Sequence, residues 1–458
     1  MNILGIDLGS TQACAVLAQK NGEEIKIIGF GKAKTQGVKK GVIVNMELAA
    51  KSIEQAVMNV EVMSGVKQYD KIVVSISGAY TKAVDSEGMC NVNNHEISIK
   101  EISRAVTDAE FRANIPNDYK TIQVLPYSFQ INETDCVNDP LGMSAKRLVV
   151  SAHIIIAKES DIKNLKKVVE LTGLRVDNLV LSGYASAIAC LSESDEKALG
   201  AILIDIGGGI CDMVVFMGNS IRYNDCIKIG SSNITQDLAK GLHTPLNEAE
   251  KIKLSYARLS QEPNALVQVP LMGDERKMNE YPVEAIANVM YARVNEILML
   301  LAELLSSELL KKLNVSENTG AGVVLTGGMT KLARLDEVAS AIFDNKSVRI
   351  ATARDDLISG YDEINDPENS CAIGLCLYEA GYFAPYEIDS NKKLRYKGEP
   401  EVSSPATKSI FTPTGGEEDD FDKEDKDDSG RETLETFDEQ KKKSGVFSKF
   451  WNKITSQF

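Results

Sequence analysis

A short motif that occurs twice constrains this chain more than any other feature in it. Asp7-Leu8-Gly9-Ser10-Thr11 follows an apolar run, NILGI, and Asp205-Ile206-Gly207-Gly208-Gly209 follows another, GAILI. A second apolar run comes after each, ACAVLAQ and MVVFM. Each of these ends at a turn dipeptide, Asn21-Gly22 or Gly218-Asn219, and leads into a third run, EIKIIGF or SIRYNDCIKI. Turn dipeptides between apolar runs signal β-hairpins. The unit strand, Asp-x-Gly, strand, turn, strand therefore appears twice, about 200 residues apart. Internal similarity on that scale predicts two duplicated α/β lobes.

The loops carry a chemistry. Glycines let backbone N–H groups approach a phosphate closely. Ser10 and Thr11 add hydroxyls. Asp7 and Asp205 would repel a bare polyphosphate, but they suit the water shell of a Mg²⁺ ion. Two such hairpins opposed would grip a nucleotide from both sides. A third element, GAGVVLTGGMTKL, runs from a strand through Gly327-Gly328 into a helix-like segment, where a flat ring can lie against the backbone. A fourth, NEAEKIKL, places Glu250 and Lys253 three apart on one helix face; taken alone, that spacing fits a solvent-exposed ion pair.

Composition removes several function classes. The chain has 458 residues and a formal charge of -15, the wrong sign for general nucleic-acid binding. Its eight cysteines and three histidines are dispersed, so neither a disulfide framework nor a zinc site is expected. The N-terminus lacks the basic and apolar regions of a signal peptide. The most apolar stretch, Val294 to Leu313, carries three glutamates and reads as a core helix with one wet face.

Apolar periodicity stops after about Tyr386. Between Glu417 and Glu439 there are thirteen acids against three bases, a net -10, which predicts an extended, disordered spacer. The last residues differ. On a helical wheel Phe447, Phe450, Trp451, Ile454 and Phe458 share one side, and Lys449 and Lys453 the other, just after Lys441, Lys442 and Lys443. That is the pattern of an interfacial membrane helix binding anionic lipid. One copy would bind weakly, and a polymer would multiply the contact.

Together these elements resemble the actin-like ATPase superfamily: actin, Hsp70 chaperones, sugar kinases and bacterial filament proteins. Within it, TIQVLPYSFQINETDCVNDPLGMSAKRLVVSAHIII (Thr121 to Ile156) is similar to an inserted subdomain of the bacterial cell-division FtsA family, as are VKKGVIVNMELAAKSI, SISGAY and DIGGGICDMVVF. The resemblance implies a two-lobed actin/Hsp70-like fold with duplicated ATPase lobes, a small α+β insert, a disordered C-terminal linker and a terminal amphipathic helix. Residues 1–82 would open lobe 1, 83–160 form the insert and 161–197 continue lobe 1. Residues 198–228 would open lobe 2, 229–304 form its outer, FtsZ-binding subdomain, and 305–367 complete it. A closing helix at 368–386, the linker at 387–440 and the membrane helix at 441–458 would follow.

By the same resemblance, Asp7, Gly9, Ser10, Thr11 and Gln12 match the first phosphate loop, and Asp205, Gly207, Gly208 and Gly209 the second. Asp7 and Asp205 would hold Mg²⁺ through water. Glu250, Lys253, Gly327, Gly328 and Met329 match adenosine contacts. The implied protein binds ATP, polymerises, and tethers the tubulin-like FtsZ ring to the cytoplasmic face of the membrane at the division site. The insert would recruit other division proteins. Ile210 and Cys211 stand where relatives carry threonine, and Asn178 to Leu191 holds no acid, so at most slow hydrolysis is expected. The competing expectations are a small-molecule kinase of the same fold, a pilus-assembly-type binding module, and a chaperone, which would need a folded domain after residue 386.

Overall fold

The computed structural model describes residues 1–93, 95–132, 136–192, 199–218, 220–259, 265–305, 319–344 and 346–397. The expected C-terminal membrane helix and most of the expected acidic linker lie outside them. The described residues belong to one compact unit, Met1–Thr407.

Both repeats fold as hairpins, and both hairpins seed a sheet of the same order. In lobe 1, β1 (Asn2–Leu8), β2 (Gln12–Asn21) and β3 (Glu24–Lys34) are antiparallel neighbours. β6 (Lys71–Ile76) joins β1 in parallel, and β11 (Asn178–Leu181) joins β6. In lobe 2, β12 (Ala201–Ile206), β13 (Cys211–Met217) and β14 (Ser220–Ile227) repeat the antiparallel meander. β17 (Val323–Thr326) and β18 (Val348–Ile350) add the parallel strands. The orders β11-β6-β1-β2-β3 and β18-β17-β12-β13-β14 are thus the same. β1 and β12 are buried nearly throughout, as central strands covered on both faces must be.

Two helices lie between the sheets. α4 (Ser182–Cys190) packs on β12 and β13, and α9 (Ser370–Ala380) on β1 and β2, and they pack on each other. Every residue of α4 is buried, so it shows no amphipathic stripe. Their crossing is close: a Cβ on Gly374 would stand 1.9 Å from the Ala185 carbonyl oxygen. In lobe 1, α1 (Met46–Ser64) covers β3, capped by Asn45 and ended by Gly65 at φ 71°. α3 (Glu159–Glu170) packs beside it. A two-residue pair, β4 (Val38–Lys39) and β5 (Val42–Ile43), precedes α1.

The insert is a four-stranded sheet, β7 (Thr81–Asn91), β10 (Arg147–Lys158), β8 (Tyr119–Ile131) and β9 (Cys136–Val137), covered by α2 (Ile99–Arg112). In lobe 2, α5 (Ser231–Gly241), α6 (Leu246–Leu259) and α7 (Val283–Leu305) pack outside the sheet with the hairpin β15 (Leu266–Leu271) and β16 (Asp274–Pro282). α8 (Leu335–Ile342) packs on α7 and β18. α7 starts at Val283, eleven residues before the expected core helix at Val294. It is long and apolar enough to cross a membrane. Its buried side chains, Ile286, Val294 and Leu301 among them, belong to the lobe 2 core. Arg293 donates to Asp237 Oδ2 at 2.6 Å.

The chain stays packed past residue 386, where the linker was expected to begin. Val124 and Ile388 exchange backbone hydrogen bonds of 2.9 and 3.0 Å. Tyr386 and Ile388 enter the core of the insert. Between them, Glu387 is fully buried against lobe 1, accepting from the Tyr184 hydroxyl at 2.9 Å and from Tyr378. Asp389 accepts from Asn178 Nδ2 at 3.2 Å, and Arg395 reaches Glu379 at 2.9 Å. This strap alternates faces like a strand, so its polar residues read from sequence as the start of a spacer.

Candidate functional site: a cleft between two matched loops

The repeat holds down to single hydrogen bonds. The Gly9 N–H donates to the Gln12 carbonyl at 3.1 Å, and the Gly207 N–H donates to that of Ile210 at 3.0 Å. Asp7 stands in register with Cys14, and Asp205 with Asp212. The two loops touch. A Cβ on Gly208 would sit 2.3 Å from Thr11 Cγ2, and one on Gly209 2.5 Å from Ser10 Oγ. Side chains there would drive the loops apart. The glycines, expected only to admit phosphate, are also required by the opposing loop. Ser10 Oγ accepts from the Gly41 N–H at 2.8 Å, which ties the first loop to the β4–β5 turn.

Behind the loops lies a cavity of about 1110 Å³. Every residue matched to the phosphate loops and the adenosine contacts lines it: Asp7, Gly9 to Gln12, Asp205, Gly207 to Gly209, Glu250, Lys253, and Gly327 to Met329. Gly327 has φ +88°, and a Cβ on it would meet Asp205 Oδ1 at 2.3 Å. Glu250 and Lys253 are more than a surface pair. They bridge at 2.8 Å, and both bond the Thr235 hydroxyl, at 2.5 and 3.0 Å. Leu246, Leu254 and Met329 form an apolar wall near them.

The structure adds residues that the sequence reading passed over. Asp212 lines the cleft, buried, with Oδ2 accepting from Ser182 Oγ at 2.6 Å. Its Oδ1 is buried, with the Gly78 backbone N–H directed at the carboxylate but short of a well-formed hydrogen bond to it. Superposing the two repeats would have found it, because it occupies the place of Cys14. Asn178 to Leu191 holds no acid, as read; the acid comes from the facing strand. Ser75 Oγ donates to Asp7 and Ser186 Oγ to Asp205, both at 2.6 Å. Glu368 takes Lys32 from lobe 1 and Lys331, at 3.0 Å, from lobe 2; Lys331 also bonds Asp366 at 2.7 Å. These charges close one wall of the cleft.

Burial raises all three carboxyls. It lifts Asp7 against the pull of Ser75. Asp205 is pushed up to about 6, by burial first, with the Asp7 charge adding to it and Ser186 opposing. Asp212 is pushed up to about 7, by burial first and then, against the Ser182 bond, by Asp205 and Asp7. Three acids that repel one another, Asp212 buried and Asp7 and Asp205 half-buried, suit a hard divalent cation with its water shell. Cys211, buried, donates to the Ile229 carbonyl at 3.1 Å and behaves as a small core residue.

With this geometry established, comparison with known proteins is informative. Residues 78–156 match the family described as SHS2 domain inserted in FTSA, and residues 202–374 the one described as Cell division protein FtsA. Cell division protein FtsA of Helicobacter pylori is 33% identical over 441 residues, 90% of this chain and 88% of that one. The chain belongs to the FtsA family. Its similarity extends to FtsA of Neisseria meningitidis, 34% identical over 81% of this chain and 88% of that one, and of Escherichia coli K12, 28% over 89% and 94%. Among solved structures, the PilM-PilN type IV pilus biogenesis complex aligns with a TM-score of 0.58 at 15% identity, covering 82% of this chain and 98% of that one. The actin-like fold with the FtsA-type insert is thereby established, and with it membership of a cell-division family.

Proposed function

We propose that this FtsA-family chain binds Mg-ATP in the cleft, assembles into an actin-like filament, and holds FtsZ at the cytoplasmic face of the membrane through its C-terminal segment. One observation carries the nucleotide part: two loops of matched hydrogen bonding oppose each other over a cavity lined by Asp7, Asp205 and Asp212. Asp7, Asp205 and Asp212 would hold the magnesium through its water. The loop N–H groups, Ser10 and Thr11 would meet the phosphates. Glu250, Lys253 and the Gly327–Met329 turn would take the adenosine, with Leu246 and Leu254 beside it. Bound magnesium would neutralise phosphate charge.

The membrane part rests on the aromatic and basic pattern of residues 447–458, which lie outside the described residues. The test is co-sedimentation with anionic liposomes, with and without Mg-ATP, beside a chain ending at Gln440. The proposal expects only the full chain to pellet, more strongly with Mg-ATP. Equal pelleting of both chains, or of neither, overturns the tether. Unchanged pelleting with nucleotide overturns the link between cleft and membrane.

A further inference from the structure

SISGAY, which the sequence singled out, and the insert's His153 have no place in the cleft chemistry above. The structure gives them one. The insert leaves the chain between lobe 1 strands, yet its sheet lies against the edge strand of lobe 2. Along β14, side chains at every second position face it. Arg222 stacks on the Tyr127 ring of β8, 3.9 Å from the centroid. Asn224 Oδ1 lies 2.8 Å from His153 Nε2 on β10. His153 is buried, and its Nδ1 lies 2.7 Å from Asp85 Oδ1 on β7. Cys226 ends the row, its Cβ 3.1 Å from where a Cβ on Gly78 would be. Tyr223 and Ile227, on the alternate face, pack into the lobe 2 core.

The row begins at the cleft. Cys226 stands in register with Asp212. Gly78 of SISGAY lies so close that a Cβ there would be 2.3 Å from Asp212 Oδ1, and its backbone N–H is directed at that carboxylate. The Gly78–Tyr80 turn runs directly into β7. A shift of Asp212 therefore has two short routes into the insert: through Gly78 into β7, and along β14 through Asn224 and His153 into β10. Packed contacts of this kind move together rather than deform.

We propose that β14 and the Gly78 turn form a relay that couples occupancy of the cleft to the seating of the insert, with Arg222, Asn224, His153 and Asp85 as positioning residues. The proposal rests on the nucleotide reading above, and a binding partner on the insert would in turn shift affinity in the cleft. Hydrogen–deuterium exchange on the full chain tests it, read at residues 7–12 and 205–212 for the cleft and at β7 and β10 for the insert. In the wild type, Mg-ATP should slow exchange at both. In R222A/N224A the cleft should keep its protection while β10 loses about fivefold or more of it. Protection of β10 that persists in the double variant, or a wild-type insert unmoved while the cleft is protected, overturns the relay. If Mg-ATP protects no cleft residue, the nucleotide reading fails, and Gly78→Ala without nucleotide decides the relay. The relay then requires faster exchange at 205–212, β7 and β10 together, and a change confined to residues 75–80 sinks it.

Discussion

Single residues set the electrostatics of the cleft, and their protons give its first test. Unfolded, Asp212, Asp205 and Glu387 hold protons only near and below their ordinary values; folded, they hold them up to about 7, 6 and 7, chiefly because of burial. Between those limits the folded chain binds more protons than the unfolded one. Stability must therefore fall as pH rises from about 4 to about 7 and then level off. Asp212→Asn removes one such group. Urea denaturation should show the variant gaining about 1–3 kcal/mol on the wild type between pH 5 and pH 8. A difference that does not change with pH would refute the buried-acid account. Gly327→Ala meets a second limit, a left-handed backbone and a 2.3 Å clash with Asp205 Oδ1. It should cost about 1–3 kcal/mol in a thermal or urea melt, and titration with a fluorescent ATP analogue should show at least about a tenfold weaker affinity.

At the scale of elements, what was legible in the sequence follows from local rules. The hairpins, their turns and the loop residues were readable because Asp-x-Gly and Asn-Gly signals are short-range. Asp212, Glu368 and Lys331 were not, because strand register and the packing of the two lobes place them. The strap was misread for the same reason. Its polar residues find partners in Tyr184, Tyr378, Asn178 and Glu379, of which Tyr184 and Asn178 are 203 and 211 positions away. A chain ending at Lys397 should melt like the full chain, whereas one ending at Tyr386 should lose at least about 3 kcal/mol, read by denaturant titration. Equal melting of the two would show that the strap adds nothing. The α4–α9 crossing makes a parallel demand: Gly374→Val should destabilise by about 2–4 kcal/mol in the same titration, through the 1.9 Å approach to Ala185.

At the scale of the molecule, lobe 1 and lobe 2 share one topology and are pinned across the cleft by Lys32, Glu368 and Lys331. Half-exposed pairs of this kind contribute little to stability, so their effect should appear in opening rather than in melting. Glu368→Gln should leave the melt within about 1 kcal/mol of wild type while nucleotide dissociates about three- to tenfold faster in stopped flow. An unchanged dissociation rate would remove the bridge from any gating role.

The strap has a mechanical consequence as well. The last described residues, through Lys397, are stapled to the insert on one face and to the lobe 1 core on the other. A pull from the chain beyond them meets Arg395 first, then Asp389, then the backbone bonds of Ile388 to β8, and only then Glu387. Much as a clamp at the wall relieves a cable, that order would spend tension on the strap's buried contacts and keep it from opening the cleft.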